Sequence, residues 1–120
     1  MRKKLSSSVR VFYPKLNREE VVEKLRERLE IMKSALPIRY VVLFGSYAKE
    51  RYTIASDIDL LVVYAGEEKK DAFSLIKKIL HIPRLELHVY TEKEFIRLKD
   101  VLMMMARSGI VLYKDPLLEI

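Results

Sequence analysis

The chain has 120 residues, half of them hydrophobic, and carries 23 Lys and Arg against 17 Asp and Glu, a net charge of +6. That length suits one domain with one core, and no apolar run reaches the roughly 20 residues needed to span a bilayer. Cysteine is absent, which excludes disulfides and thiolate metal sites and agrees with a reducing cytoplasm, the expected location.

Residues 1–16 open with Met1-Arg2-Lys3-Lys4, a basic start without the apolar core of a secretory signal. They are expected to be a flexible segment ahead of a single domain over residues 17–120. Asn17 followed by Glu20 predicts a capping box. Val21, Val22, Leu25, Leu29 and Met32 then recur at helical spacing, and Pro37 ends the helix. Arg39 to Phe44 reads as a central strand buried on both faces. A short helix is expected from Ser46 to about Arg51, a loop from Tyr52 to Ser56, and a second strand from Ile58 to Tyr64, broken by Gly66.

Glu67 to Leu80 predicts a second amphipathic helix with Ala72, Leu75, Ile76, Ile79 and Leu80 as its stripe. Pro83 separates it from a third strand, Leu85 to Tyr90. Thr91 and Glu94 repeat the capping-box pattern and open a third helix to about Arg107, with Phe95, Leu98, Val101, Leu102 and Met105 facing inward. The run Met103-Met104-Met105 reads as gap-filling core. Gly109 ends this helix, Ile110 to Tyr113 reads as a short edge strand, and Asp115-Pro116 lies in the tail. Alternating helices and strands give an α/β (α+β) class, a sheet covered by helices.

The chemistry concentrates between Val41 and Val63. Gly45-Ser46 forms a tight turn after an apolar strand, offering the N–H groups and hydroxyl that a phosphate needs. Asp57 and Asp59 open the next strand. Side chains alternate along a strand, so both carboxylates share a face and suit hard cations such as Mg²⁺. Two-metal sites of this kind clamp the attacking and leaving oxygens of an in-line displacement and need a further carboxylate. Glu86, in Leu85-Glu86-Leu87-His88-Val89, supplies one. A carboxylate in an apolar strand otherwise needs solvent or a cation such as Arg84. His88 shares its face and reads first as a half-buried strand histidine, with ligation, orientation of Glu86 or donation to a phosphate as the alternatives. Lys49 and Arg51 are candidates for neutralising a triphosphate, and Ser56 for closing the turn before Asp57. The basic balance suits nucleotides or an acidic partner. Positive charge is scattered, without an arginine-rich run, so nucleic acid is not favoured.

Gly45-Ser46, a ten-residue spacer, Asp57-Ile58-Asp59 and a carboxylate on a later strand together resemble the nucleotidyltransferase superfamily of DNA polymerase β. They are most similar to its minimal nucleotidyltransferases, the MNT domain proteins. Ser46-Tyr47-Ala48-Lys49, Ser56-Asp57-Ile58-Asp59-Leu60 and the ending Gly109-Ile110-Val111-Leu112-Tyr113 add to the likeness, which spans Ile38 to Tyr113. Glu50 departs from it, standing where many relatives have glycine, and Lys49 often corresponds to arginine there.

The resemblance implies a small mixed β-sheet flanked by helices. It implies that Gly45 and Ser46 bind the β and γ phosphates of ATP, that Asp57 and Asp59 hold Mg²⁺, two ions in all, and that Glu86 assists the metal and acts as general base. A hydroxyl would attack the α-phosphate and release pyrophosphate. The resemblance also implies a partner, since MNT proteins pair as antitoxins with helical HEPN toxins and transfer AMP to a HEPN tyrosine. Two alternatives stand beside this: a non-catalytic subunit that neutralises its partner by contact, and nucleotidyl transfer to a small molecule or RNA. A homo-oligomer is compatible with all three.

Overall fold

The structure, a computed structural model, describes residues 17–49, 51–53 and 56–118. The N-terminal segment expected to be flexible, residues 1–16, and Glu50 lie outside the described residues. The first helix starts as its sequence dictates. Asn17 Oδ1 accepts the Glu20 N–H and Glu20 Oε1 accepts the Asn17 N–H, both at 2.8 Å, opening α1 (Arg18–Ala35). Val21, Leu25 and Met32 form its buried stripe.

Four strands form one sheet, β1 (Ile38–Phe44), β2 (Ile58–Tyr64), β3 (Leu85–Thr91) and β4 (Ile110–Lys114), in the order β3-β2-β1-β4. β1 pairs antiparallel with β2 and with β4, while β2 and β3 run parallel. A parallel pair needs a crossover, and α2 (Ala72–Leu80) provides it. The sheet is therefore mixed and flanked by helices.

Period-two alternation divides the core into two layers. Val41, Leu43, Leu60 and Val62 pack with Val21, Leu25 and Met32 of α1 and with Ala72, Ile76 and Leu80 of α2. Tyr40, Val42, Phe44, Leu61 and Val63 pack on the other face, with Phe95 of α3 (Glu92–Arg97) and with Leu102, in α4 (Lys99–Met105), and Ala106 just beyond it. The central strands are buried on both faces because helices cover both.

Three expected elements differ. α2 begins at Ala72 rather than Glu67. The stretch Glu67 to Asp71 has no apolar side chain to anchor a helical turn on the core, and Tyr64 draws it back by accepting the Lys69 N–H at 2.9 Å. The third helix is two helices, broken at Leu98, where φ −103° and ψ 17° leave the helical region. Beyond the break Leu102 and Ala106 are buried against the sheet, while Leu98 and Val101 are exposed rather than inward, Val101 at 67%. Met104 is exposed as well, whereas Met103 and Met105 do pack against the core. The residues after Gly45 form a turn rather than a helix: Lys49 N–H donates to Gly45 O at 3.2 Å and Arg51 N–H to Ser46 O at 2.8 Å. No helix among the described residues is long and apolar enough to cross a membrane.

Candidate active site

The acidic residues gather at one end of the sheet. Asp59 stands opposite Phe44 of β1 and level with Glu86 of β3. Alternation puts Asp59, Leu61 and Val63 on one face, so the carboxylates share the α3–α4 side of the sheet. Asp57 lies just before β2 and is exposed, as is Glu86, while Asp59 is half-buried. Phe95, packed edge-on against Tyr40 at 5.7 Å, covers the same face toward the other end of β1.

The Gly45-Ser46 turn closes against Asp59. Gly45 has φ +78°, which L side chains rarely adopt, and a Cβ there would collide with Asp59 Oδ2 and lie 3.2 Å from its Cγ. Glycine is thus required twice, by its backbone and by the neighbouring carboxylate. Tyr47, buried at 1%, anchors the turn. Its ring stacks on Tyr52, with centroids 4.1 Å apart and 5° between planes, and the Tyr52 hydroxyl accepts the Arg18 N–H at 3.0 Å. The turn is thereby tied to the start of α1. Ser46 is half-buried beside Gly45, and Lys49 and Arg51 are exposed. Ser56 closes the following loop, its Oγ accepting the Thr53 N–H at 2.8 Å.

Each aspartate faces a cationic or ionisable neighbour. Asp59 Oδ1 is 3.8 Å from His88 Nε2, and the His88 ring packs against Phe44 with centroids 5.2 Å apart. Burial holds the Asp59 carboxyl above the usual range. His88 works against that shift, while the charges of Asp57 and Glu86 reinforce it. Asp57 Oδ1 lies 3.3 Å from an Arg84 terminal nitrogen. Arg84 therefore pairs with Asp57, and Glu86 takes the solvent-exposed position.

The donor set suits a hard divalent cation: three carboxylates at one end of one sheet face, with Asp57 and Glu86 close enough to raise the Asp59 carboxyl. As the side chains stand, no three His, Cys, Asp or Glu among the described residues converge on one point. Like charges repel when no cation neutralises them, and Asp57 and Asp59 are turned to Arg84 and His88. A groove of about 770 Å³ lies elsewhere, between α1 and Ile110, lined in part by Arg18, Val22 and Arg26.

Comparison with known proteins identifies the family and the fold. A family model described as a nucleotidyltransferase domain matches residues 22–112, and the chain belongs to that family of nucleotidyltransferases. It is similar to three Methanocaldococcus jannaschii proteins that are provisionally named protein adenylyltransferases. One is 35% identical over 78 residues, 62% of this chain and 77% of that protein. The others are 40% and 38% identical over 45 residues, 38% of this chain and 46% of each relative. Among solved structures, a crystal structure provisionally assigned as a nucleotidyltransferase from Sulfolobus solfataricus shares the fold. Its TM-score is 0.59 at 22% identity, covering 86% of this chain and 88% of that one. A mutant of the toxin–antitoxin pair MntA–HpeT also shares it, with a TM-score of 0.51 at 19% identity over 84% of this chain and 76% of that one.

The structure brings Gly45, Asp59 and Glu86 to one place, with Asp57 beside them, and leaves Lys49 and Arg51 facing solvent. The pairing of Arg84 with Asp57 is absent from the sequence reading. Strand register carries the signal for it: with Ile58 level with Leu85 on parallel strands, Arg84 falls beside Asp57.

Proposed function

We propose that this chain transfers AMP from ATP to a hydroxyl of a protein partner, a tyrosine of a HEPN-type toxin, and so acts as its antitoxin. One observation carries this reading: Asp59 and Glu86 stand level on adjacent strands, against a turn at which only glycine leaves room for the Asp59 carboxylate. The relatives named for protein adenylylation support the acceptor class, and the toxin–antitoxin structure supports the kind of partner.

In this reading Asp57, Asp59 and Glu86 hold Mg²⁺, which when bound supplies charge neutralisation for the phosphates and the leaving group. The Gly45-Ser46 turn receives the β and γ phosphates through its N–H groups and the Ser46 hydroxyl, with Lys49 and Arg51 adding positive charge at the rim. Glu86, solvent-exposed and next to the Asp pair, takes the acceptor's proton. The acceptor oxygen forms a bond to the α-phosphorus as the bond from that phosphorus to the bridging oxygen breaks, and pyrophosphate leaves. The exposed acidic corner suits an acceptor presented by another protein.

The test is label transfer. With α-labelled ATP, Mg²⁺ and the product of the neighbouring gene, label is expected on the partner with the parent chain and none with Asp59→Asn. Label retained by that variant overturns the reading. A second reading, neutralisation by contact alone, is favoured by the pairing of Asp57 with Arg84 and the absence of three convergent ligands among the described residues. It wins if Asp57→Asn/Asp59→Asn neutralises the partner as well as the parent does.

A further inference from the structure

Arg84 is tied to the acidic corner at three points. Its Nε donates to Ser56 O at 3.2 Å, a terminal nitrogen lies 3.3 Å from Asp57 Oδ1, and its own carbonyl accepts the Ile58 N–H at 2.8 Å. One arginine thus brackets the three residues that carry Asp57. Its backbone sits at φ +62°, in the left-handed region that costs an L residue energy. The side chain is 45% exposed. Burial holds the Tyr47 hydroxyl above its ordinary value and the charge of Arg84 works weakly against that shift, so Arg84 lies within electrostatic reach of the turn that follows Gly45.

We infer that Arg84 is an exchangeable counter-ion: it holds Asp57 while no divalent cation is bound, and once displaced it binds the phosphates of the incoming nucleotide. The inference rests on the proposed nucleotidyl transfer. A guanidinium and a divalent cation compete for the same carboxylate oxygens, and their like charges repel across this short distance. Cation binding therefore frees Arg84, and its planar fork suits a phosphate. Displacing it loses little, because an exposed pair of this kind contributes at most about 1 kcal/mol.

A purely structural role for Arg84 would weaken every ligand together. Exchange predicts opposite signs. Arg84→Gln places an amide nitrogen at about the position of Nε, which retains a donor toward Ser56 O, and removes the charge and the terminal nitrogens that reach Asp57. It is expected to bind Mn²⁺ about three- to tenfold more tightly than the parent, read by electron paramagnetic resonance on the chain alone. It should bind a non-hydrolysable ATP analogue about tenfold more weakly. Arg84→Lys, which keeps the charge, should match the parent for Mn²⁺ and fall between for the analogue. All three residues meet the same left-handed backbone, so a melting curve confirms comparable folding. Mn²⁺ affinity unchanged or weakened in Arg84→Gln overturns the inference. If the parent meanwhile labels its partner, the proposed function stands without it. A parent that binds neither Mn²⁺ nor the analogue overturns both.

Discussion

Asp59 sits where its own charge is disfavoured. Burial raises its carboxyl above the ordinary value, and the carboxylates of Asp57 and Glu86 push the same way. A raised folded value means that the folded chain holds this proton more tightly than the unfolded chain does. The resulting loss of stability is complete above the raised value and absent below the ordinary carboxylate value. Asp59→Asn is therefore expected to raise the Tm of the metal-free protein at neutral pH, and the advantage should fade as the pH falls toward the ordinary carboxylate range. Melting curves of both proteins across that range check it, and an advantage that grows on acidification would sink it. Added Mg²⁺ should raise the Tm of the parent more than that of the variant. A residue that costs stability and supports chemistry is the usual mark of a functional site.

At the scale of elements, α3 and α4 cover the face that carries the acidic corner, and Phe95 is their main anchor. It is fully buried and packs edge-on against Tyr40 at 5.7 Å. Phe95→Ala should cost about 3–5 kcal/mol, measured by denaturant unfolding; a cost below about 1 kcal/mol would mean that α3 is not held by this contact. Elements governed by local chemistry were readable from the residues. Both capping boxes form as the Asn17–Glu20 and Thr91–Glu94 spacings predict, and parity pairs Asp57 with Asp59 and Glu86 with His88, whereas the common sheet face of the two pairs follows from the register of β2 and β3. What depends on tertiary geometry was not readable. A period of 3.6 cannot show that the helix breaks at Leu98, because the apolar spacing of Phe95, Leu98, Val101, Leu102 and Met105 runs on through the break. Nor can a lone sequence show that Arg84 meets Asp57, since that needs the parallel register of β2 and β3.

At the scale of the molecule, the end of the sheet away from the acidic corner is closed by Arg39. It reaches Glu92 at the start of α3 at 3.4 Å and Asp115 after β4 at 3.1 Å, while its backbone carbonyl accepts the Asp115 N–H at 2.8 Å. Asp115 in turn accepts the Leu117 N–H at 2.8 Å, which leads the chain to Leu118, buried in the core layer under α3 and α4. The Leu117 N–H bond is the main cause that holds the Asp115 carboxyl below its usual range, with Arg39 and the Tyr113 hydroxyl adding to it. A lowered folded value contributes stability that is present above the ordinary carboxylate value and lost as the pH falls through the lowered one. Asp115→Asn should therefore melt below the parent at neutral pH, and the two should converge in strong acid, the opposite sign to Asp59→Asn. Arg39 adjoins the Ile38 end of β1, whereas Asp59 pairs with Phe44 at the other end, so Asp115→Asn should leave label transfer at the parent's rate at temperatures where both remain folded. Loss of transfer by the folded variant would show that the two ends of the sheet are coupled rather than independent.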